Sequence, residues 1–511
     1  MATLVVSPSA PHVEELDAAP ISYAEPPKAP ASGKPNGKAE RIANTVVLTL
    51  LFAAPALMCV HAACANDPDI WWHLRTGEWI LQHHAVPRVD PFSGPNAGKP
   101  WQAYSWLFEL LSIKLFQGFG LPGIVGYSAG MVLAITIALR HLIKRLQSDF
   151  TIVALLTFTT CFSLGHLFTP RPWLFTILFF VLEIDVLMHA RKTGRKRELL
   201  WLPVIFALWS NIHIQFIDGL LVLGLAVAES IATHWGIGDK TRLRAPWLAA
   251  AFAGSVLATM ANPYGWHIYR VAYDLAAQAG VMGKIQELQA LPFRDLANYC
   301  VLFLALASAG ALAWSRRFRL FEAGLLVFAA VVSFRSQRDV WVMATVAAAI
   351  LASTIEGRNK TTVRLPNFAT SVAAIAAALT VLAGFRVMRI NEGLLEAQIA
   401  KTLPVGAVKA IQANGYPGPL HNDFNWGGYL IWALRMPVSL DGRAAFYGDT
   451  AIDRSVATWN AEPDWNSDPA LSSAGIVIGP VKSPLNQVLR TDPHFKLAYE
   501  DKVATVFIAR R

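Results

Sequence analysis

The chain has 511 residues, 54% hydrophobic and only 15% charged, with a mean hydropathy of +0.39. Soluble globular chains carry about 25% charged residues, so this composition excludes an ordinary cytosolic enzyme, a disordered protein and a secreted disulfide scaffold. The net charge is +9, from 44 Lys and Arg against 35 Asp and Glu. The basic residues form short clusters between apolar runs, a membrane-topology pattern and not a nucleic-acid face. Cys59, Cys64, Cys161 and Cys300 lie in or beside apolar runs and outline no disulfide framework.

Residues 1–43 are polar, rich in Ala, Pro and Ser, and without periodicity, as expected of a disordered cytoplasmic tail. Apolar windows follow at 44–64, 121–140, 150–169, 172–190, 199–212, 214–233, 245–262, 299–314, 318–334, 340–355 and 367–386. A span needs about 20 apolar residues, so about eleven spans are expected, with 199–212 and 340–355 the short ones. The Ala63-Cys64-Ala65 step looks like a cleavage site. The tail before 44–64 is too long for a signal-peptide n-region, so this run reads as an uncleaved first span.

With a cytoplasmic N-terminus, the inside segments hold clusters such as Arg140, Lys144 and Arg145, Arg191 to Arg197, Lys240 to Arg244, Arg316 to Arg319, and Arg358 to Arg364. The short outside loops hold only Arg171, Arg335 and Arg338. That alternation is the positive-inside rule. It leaves 65–120, 263–298 and 387–511 outside, so the domains read as tail 1–43, transmembrane domain 44–386 with outer loop 65–120, and a periplasmic domain 387–511. No internal repeat is evident, so a transporter built on inverted repeats finds no support.

The first outer loop begins Asn66-Asp67-Pro68-Asp69-Ile70-Trp71-Trp72-His73-Leu74-Arg75-Thr76-Gly77-Glu78-Trp79-Ile80. Asp67 before Pro68 is a helix-start signal. The helix is amphipathic: Trp72, Trp79 and Ile80 suit the lipid interface, while Asp69, His73 and Thr76 share a polar face. A second amphipathic stretch covers 101–110, after the turn-rich 86–93. Glu78 and Asp90 read as solvated or loop-capping residues.

This loop resembles the membrane glycosyltransferases of the GT-C superfamily, which include oligosaccharyltransferase catalytic subunits and protein O-mannosyltransferases. The carriers of the resemblance are Asp69 through Gly77, Pro87-Arg88, and Asp90 through Ser93. Looser matches are Arg171-Pro172, Trp209 through His213, Asn262 through Trp266 and Trp426 through Trp432. The longer phrase is similar to a group of uncharacterised bacterial GT-C-like membrane proteins. Where that group often carries an acid before the Trp-Leu of the second interfacial helix, this chain has Ser105.

The resemblance implies a polyprenyl-phosphate sugar donor bound at the outer leaflet and a carboxylate base for the acceptor hydroxyl. It gives the base role to Asp69 first and Asp67 second. Their structural alternatives are a helix cap for Asp67 and compensation of the helix dipole for Asp69. The leaving phosphate needs positive charge. Arg75, Arg171, Arg335 and Arg338 are the candidates, with Lys284 and Arg294 behind them; each could instead reach a phospholipid headgroup. His73, one turn from Asp69, could share a divalent metal, although two ligands do not make a site.

Asn211, His213 and Gln215 interrupt the apolar run between the fifth and sixth windows, as a tight hairpin or as sugar-pocket walls. Asp218 lies one turn deeper, and an intramembrane acid is a functional candidate by default. Glu183, Asp185 and Glu229 lie toward cytoplasmic helix ends and read as structural.

Beyond 387, apolar runs become short. Strands are expected at 419–422, 437–440, 475–479, 495–499 and 503–508, with helices near 405–414, 427–434 and 484–490, giving a small α/β domain. Asp441-Gly442-Arg443, Tyr447, Trp459 and Trp465 could contact sugars, or be turn and core residues. No nucleophile triad, phosphate-cradling Gly loop or zinc spacing is present.

The expected protein is therefore an α-helical polytopic membrane protein of GT-C-like architecture in a bacterial inner membrane. It would move a sugar from a polyprenyl-phosphate donor to a glycan, lipid or protein acceptor on the outer face, with inversion. No cofactor is certain; a divalent metal is possible. The alternatives are a non-catalytic envelope scaffold of the same fold and a carrier of lipid-linked sugars. Few intramembrane charges line a transport path, which disfavours the carrier.

Overall fold

The computed structural model describes residues 37–61, 66–238, 242–277, 283, 285–315, 319–355 and 367–510. The tail up to residue 36, the Ala63-Cys64-Ala65 step, Lys284, and Lys240, Arg316, Arg317, Arg358, Lys360 and Arg364 of the basic loops lie outside the described residues.

Each of the eleven apolar windows forms a helix. In chain order, with the helices between them, these are α1 Gly37–Leu57, α2 Ile70–His83, α3 Trp106–Leu146, α4 Phe150–Ser163, α5 Trp173–Thr193, α6 Trp201–Ile212, α7 Phe216–His234, α8 Ala245–Thr259, α9 His267–Ala276, α10 Leu296–Trp314, α11 Leu320–Arg335, α12 Val340–Thr354 and α13 Asn367–Val387. Six of them, in α1, α3, α5, α7, α10 and α13, are long and apolar enough to cross a membrane. The sequence predicts about eleven spans, two of them short; among the described residues six helices have the full length, while α4, α6, α8, α11 and α12 have 12 to 16 residues, against the ~20 of a full crossing.

The exposed apolar side chains, including Leu50, Phe158, Leu221, Phe303, Leu306, Val331, Leu379 and Leu382, cover the outside of this bundle. Water would not tolerate so much apolar surface, and lipid does. The chain is a multi-pass membrane protein.

Packing against lipid gains little from the hydrophobic effect, so close approach of small residues holds such a bundle together. Helix α12 shows this. Ala344, Ala347, Ala348, Ala349 and Ala352 are all buried, and the helix is sealed on every side from Val340 to Ala352. It is a short central pillar, packed by α10, α11 and α4. Helices α1 and α13, first and last in the bundle, pack along each other. Helix α3 breaks at Gly120, whose φ of 62° leaves the helical region. There the backbone N–H of Leu121 donates to Glu392 Oε2 at 2.8 Å. The break turns residues 106–119 away from the span that follows.

Beyond α13 come α14 Glu392–Ile399, α15 Val405–Asn414, α16 Gly427–Leu434 and strands β1 Leu420–Asn422, β2 Ile476–Pro480, β3 Phe495–Glu500 and β4 Ala504–Ala509. The sheet order is β1-β2-β4-β3. β1 runs parallel to β2, and β4 is antiparallel to both its neighbours. Ile476, Val477, Ile478, Val506 and Phe507 form its buried centre. The expected strand at 437–440 does not form. Val438 makes only an isolated bridge to Ser93, because this stretch is used to join the C-terminal domain to the first loop.

Helix α2 departs from expectation in two ways. It starts at Ile70, with Asp69 as its N-cap, two residues later than Asp67-Pro68 indicated. It is also buried and does not lie on lipid: Ile70, Trp71, Trp72, His73, Leu74, Thr76 and Ile80 are all covered. α3 lies on one side and α16 on the other. Gly77 permits the first contact, since a Cβ there would overlap the Glu109 carbonyl. Gly428 permits the second, since a Cβ would lie 2.8 Å from the Pro68 carbonyl oxygen.

Candidate functional site

The cap position frees the Asp69 carboxylate, because its side chain makes no capping hydrogen bond. Asp67 folds back instead, its Oδ1 accepting from the Asp69 backbone N–H at 2.9 Å. Both carboxylates then meet one cation from the connection before α5. Arg171 Nε donates to Asp67 Oδ2 at 2.7 Å, and Arg171 Nη1 donates to Asp69 Oδ2. The Arg171 guanidinium also lies over the Trp173 ring at 5.0 Å, and its carbonyl accepts from Tyr127 Oη at 2.9 Å.

Glu287 approaches from the 263–298 loop, 4.0 Å from Arg171 and 3.9 Å from Arg338. Three carboxylates therefore face two guanidiniums. Burial pushes the Asp69 pKa up to about 7; Arg171 opposes this, and Asp67 and Glu287 add to it. Burial would lower the Arg171 pKa, but Asp67, Asp69 and Glu287 together hold it above its ordinary value. The result is a fixed cation beside a carboxylate that can take or give a proton near neutral pH.

A cavity of about 430 Å³ opens beside Asp67, between the end of α1 and the 165–169 connection. Met58, 63% exposed, and Phe168 form its apolar walls. Asn66 and Thr169 also line it, and Asn66 Oδ1 and Thr169 Oγ1 are buried there without a partner. Such orphaned polar atoms are expensive unless a ligand or water serves them.

The other sequence candidates divide. His73 is buried and turns to Glu109, Nδ1 to Oε1 at 3.3 Å; burial, then Arg171 and His213, lower its pKa. Glu109 Oε2 is buried and unpartnered. Asp69 and His73, which could have shared a divalent metal, gain no third ligand: no group of three His, Cys, Asp or Glu is placed to hold an ion among the described residues. His213 sits in the expected hairpin, its Nδ1 2.9 Å from Thr176 Oγ1, with burial and then Arg338 lowering its pKa to about 3. Gln215 Nε2 donates to Asp339 Oδ1 at 2.6 Å, and Asn211 accepts from Trp106. Asp218 lies below, in α7.

Arg75 is not with this group. It pairs with Glu78, which also binds Arg435 of the C-terminal domain, so Glu78 is a domain joint and not a solvated residue. Arg335 is exposed at the end of α11, and Arg294 is exposed in its loop. Asp90, expected to be solvated or capping, does cap, accepting from Phe92 and Ser93 N–H at 3.1 and 3.0 Å. It is also fully covered and salt-bridged to Arg443 at 2.8 Å. Arg443 in turn pairs with Asp441 at 2.6 Å, and Tyr447 Oη donates to Asp441 at 2.7 Å. The Asp441-Gly442-Arg443 turn thereby locks the C-terminal domain over the loop. At the opposite end of the bundle, Asp185 pairs with Arg145 and Glu229 with Arg191, as structural residues do.

Sequence reasoning missed Glu287 and Glu109. The available signal was an acid in an otherwise uncharged stretch: Glu109 amid Trp106-Leu107-Phe108 and Leu110-Leu111, and Glu287 between Ile285 and Leu288.

No protein-family model matches the sequence, and no curated protein matches it. Among solved structures, the chain is similar to ArnT from Cupriavidus metallidurans, both bound to undecaprenyl phosphate and in the apo state. In each case the identity is 12%, the overlap covers 92% of this chain and 98% of the other, and the TM-score is 0.46.

Proposed function

We propose that this protein is a GT-C-type membrane glycosyltransferase, moving a sugar from a polyprenyl-phosphate donor to an acceptor hydroxyl at the outer face of a bacterial inner membrane. The observation that carries this reading is the Asp67–Arg171–Asp69 cluster next to a hollow with apolar walls from Met58 and Phe168. A carrier tail would lie in lipid past Met58, and its phosphate would approach Arg171 with Arg338 beyond.

In the reaction, Asp69 takes the proton from the acceptor hydroxyl. The acceptor oxygen attacks the anomeric carbon from the face opposite the phosphate, so the centre inverts. The bond from that carbon to the phosphate oxygen breaks, and polyprenyl phosphate leaves with the electron pair. Arg171 stabilises the charge that develops there, an effect strongest where water is excluded.

The test is turnover in lipid nanodiscs. Wild-type protein offered polyprenyl-phosphate sugars should release polyprenyl phosphate, and Asp69→Asn should lower the rate by about 10²-fold or more. Equal rates would remove Asp69 as base. One feature favours the scaffold as second reading: two carboxylates already satisfy Arg171. Absence of turnover by wild type across donors selects that reading.

A further inference from the structure

A second cleft, of about 560 Å³, lies between α2, the break in α3, and helices α14 to α16. Clefts of this size take small ligands. Trp71, Phe116, Tyr429 and Trp432 form its walls. Trp71 meets Tyr429 edge-on at 5.2 Å, and Phe116 meets Trp432 edge-on at 5.2 Å, so the rings are fixed. Trp432 is only half-buried, with the Arg435 guanidinium over its ring at 4.7 Å, so the rest of the ring is what a ligand could meet.

The polar groups narrow the chemistry. Trp71 is 4% exposed, and its indole N–H has no acceptor. Glu396 is exposed on the rim. Gln412 uses its Nε2 on the Ala433 carbonyl at 3.0 Å, leaving its amide oxygen as an acceptor. Two acids, Glu392 and Glu396, face one base, Lys409, so the lining carries no excess of positive charge for a phosphate or carboxylate. An acyl chain would leave the buried Trp71 donor unserved. An uncharged sugar ring meets every demand. Its C–H face stacks on the aromatic walls, one hydroxyl accepts from Trp71, and others donate to Glu396 and Gln412.

We infer that this cleft is a binding site for a neutral saccharide, distinct from the Asp69 cluster. Two residues along a helix turn the side chain through roughly 200°, so Trp71 and Asp69 point to opposite sides of α2. The inference does not depend on the transferase reading.

The experiment uses the full chain in phosphatidylcholine nanodiscs without glycoside detergents. The probes are maltotriose, N,N′-diacetylchitobiose and, within the disc, monogalactosyl diacylglycerol, followed by tryptophan fluorescence and saturation-transfer NMR. Saturable binding of at least one probe is expected, weakened about tenfold or more in Trp432→Ala and Glu396→Gln. Trp432→Phe keeps an aromatic wall and retains binding, which controls for folding. Asp69→Asn binds like wild type. Binding of a free saccharide marks an extended glycan, and binding of the galactolipid alone marks a headgroup. Failure of all three probes, binding that survives both weakening variants, or competition by inorganic phosphate overturns the proposal. Loss of turnover with retained binding strikes only the transferase reading.

Discussion

The carboxylate of Asp69 lies beneath the α-carbon of Gly442: a Cβ built at 442 would overlap Asp69 Oδ1 and stand 3.4 Å from the Trp72 indole nitrogen. A residue of the C-terminal domain thus sets where the proposed base sits. Gly442→Ala should push the carboxylate off Arg171. Small misplacements of reacting groups are costly, so turnover should fall by about 10²-fold, while the thermal midpoint falls less than in Arg171→Met, because Asp67 still pairs with Arg171. Parallel rate and melting measurements decide it; an unchanged rate removes the C-terminal domain from the site.

Asp69 also carries a pH signature. Its pKa rises from an ordinary 3.8 to about 7 through burial, against the pull of Arg171. The folded state therefore holds this proton more tightly than the unfolded chain does. The stability gained is full below the unfolded value and is lost as pH climbs through about 7. Asp69→Asn lacks this dependence, so its melting temperature should gain on wild type between pH 4 and 8. The wild-type rate should rise over the same upper range, as the base form appears. A flat melting difference would contradict the raised value.

Removing Arg171 strands two carboxylates. Arg171→Met should cost roughly 3–5 kcal/mol, the range for breaking a buried ion pair by deleting one partner. The triple variant Asp67→Asn, Asp69→Asn, Arg171→Met should recover most of that stability and show no turnover. Denaturation of the three proteins in the same lipid checks the claim. A triple variant as unstable as the single one would mean that the cluster holds the fold by shape, not charge.

Arg443 joins the domain to the loop through Asp90 and Asp441 and lies over Trp101 at 4.5 Å. Arg443→Ala should likewise cost roughly 3–5 kcal/mol. It should also raise protease cleavage in the segment between α13 and α15, because the domain loosens from the bundle. Arg443→Lys should recover part of the loss, since lysine restores charge without the planar fork. Identical cleavage of all three proteins would show that Gly428 and Tyr429 suffice to dock the domain.

The helices were legible because an apolar run advertises its own length: all eleven windows became helices, and Val405–Asn414 and Gly427–Leu434 matched to the residue. Whether a short apolar helix reaches across a bilayer is not written in the run itself. Sealing by neighbours lets α12 stop at 15 residues. The Trp pattern of α2 identified a buried stripe but not its cover, since lipid and a protein domain ask for the same side chains. Asp69 and Arg171 were visible as charges in sparse surroundings. Their meeting, and that of Asp90 with Arg443 across 353 residues, depends on tertiary approach. Glu287 stood out as a lone acid beside Ile285 and Leu288, but its approach to Arg171 and Arg338 also depends on tertiary contact.

The neighbouring positions of α1 and α13 bear on biogenesis. Helix α1 lies against α13, which follows it by roughly 300 residues of chain, so α1 enters the bilayer long before its companion emerges from the ribosome. Until then its Leu48, Phe52 and Ala53 stripe is covered only in part, by Leu133 and Ile137 of α3 and Phe150 and Ala154 of α4. A chain cut short before residue 367 would leave bare the part of that stripe that Ala373 and Ala377 cover, giving membrane quality control a mark at one end of the bundle that reports on the other.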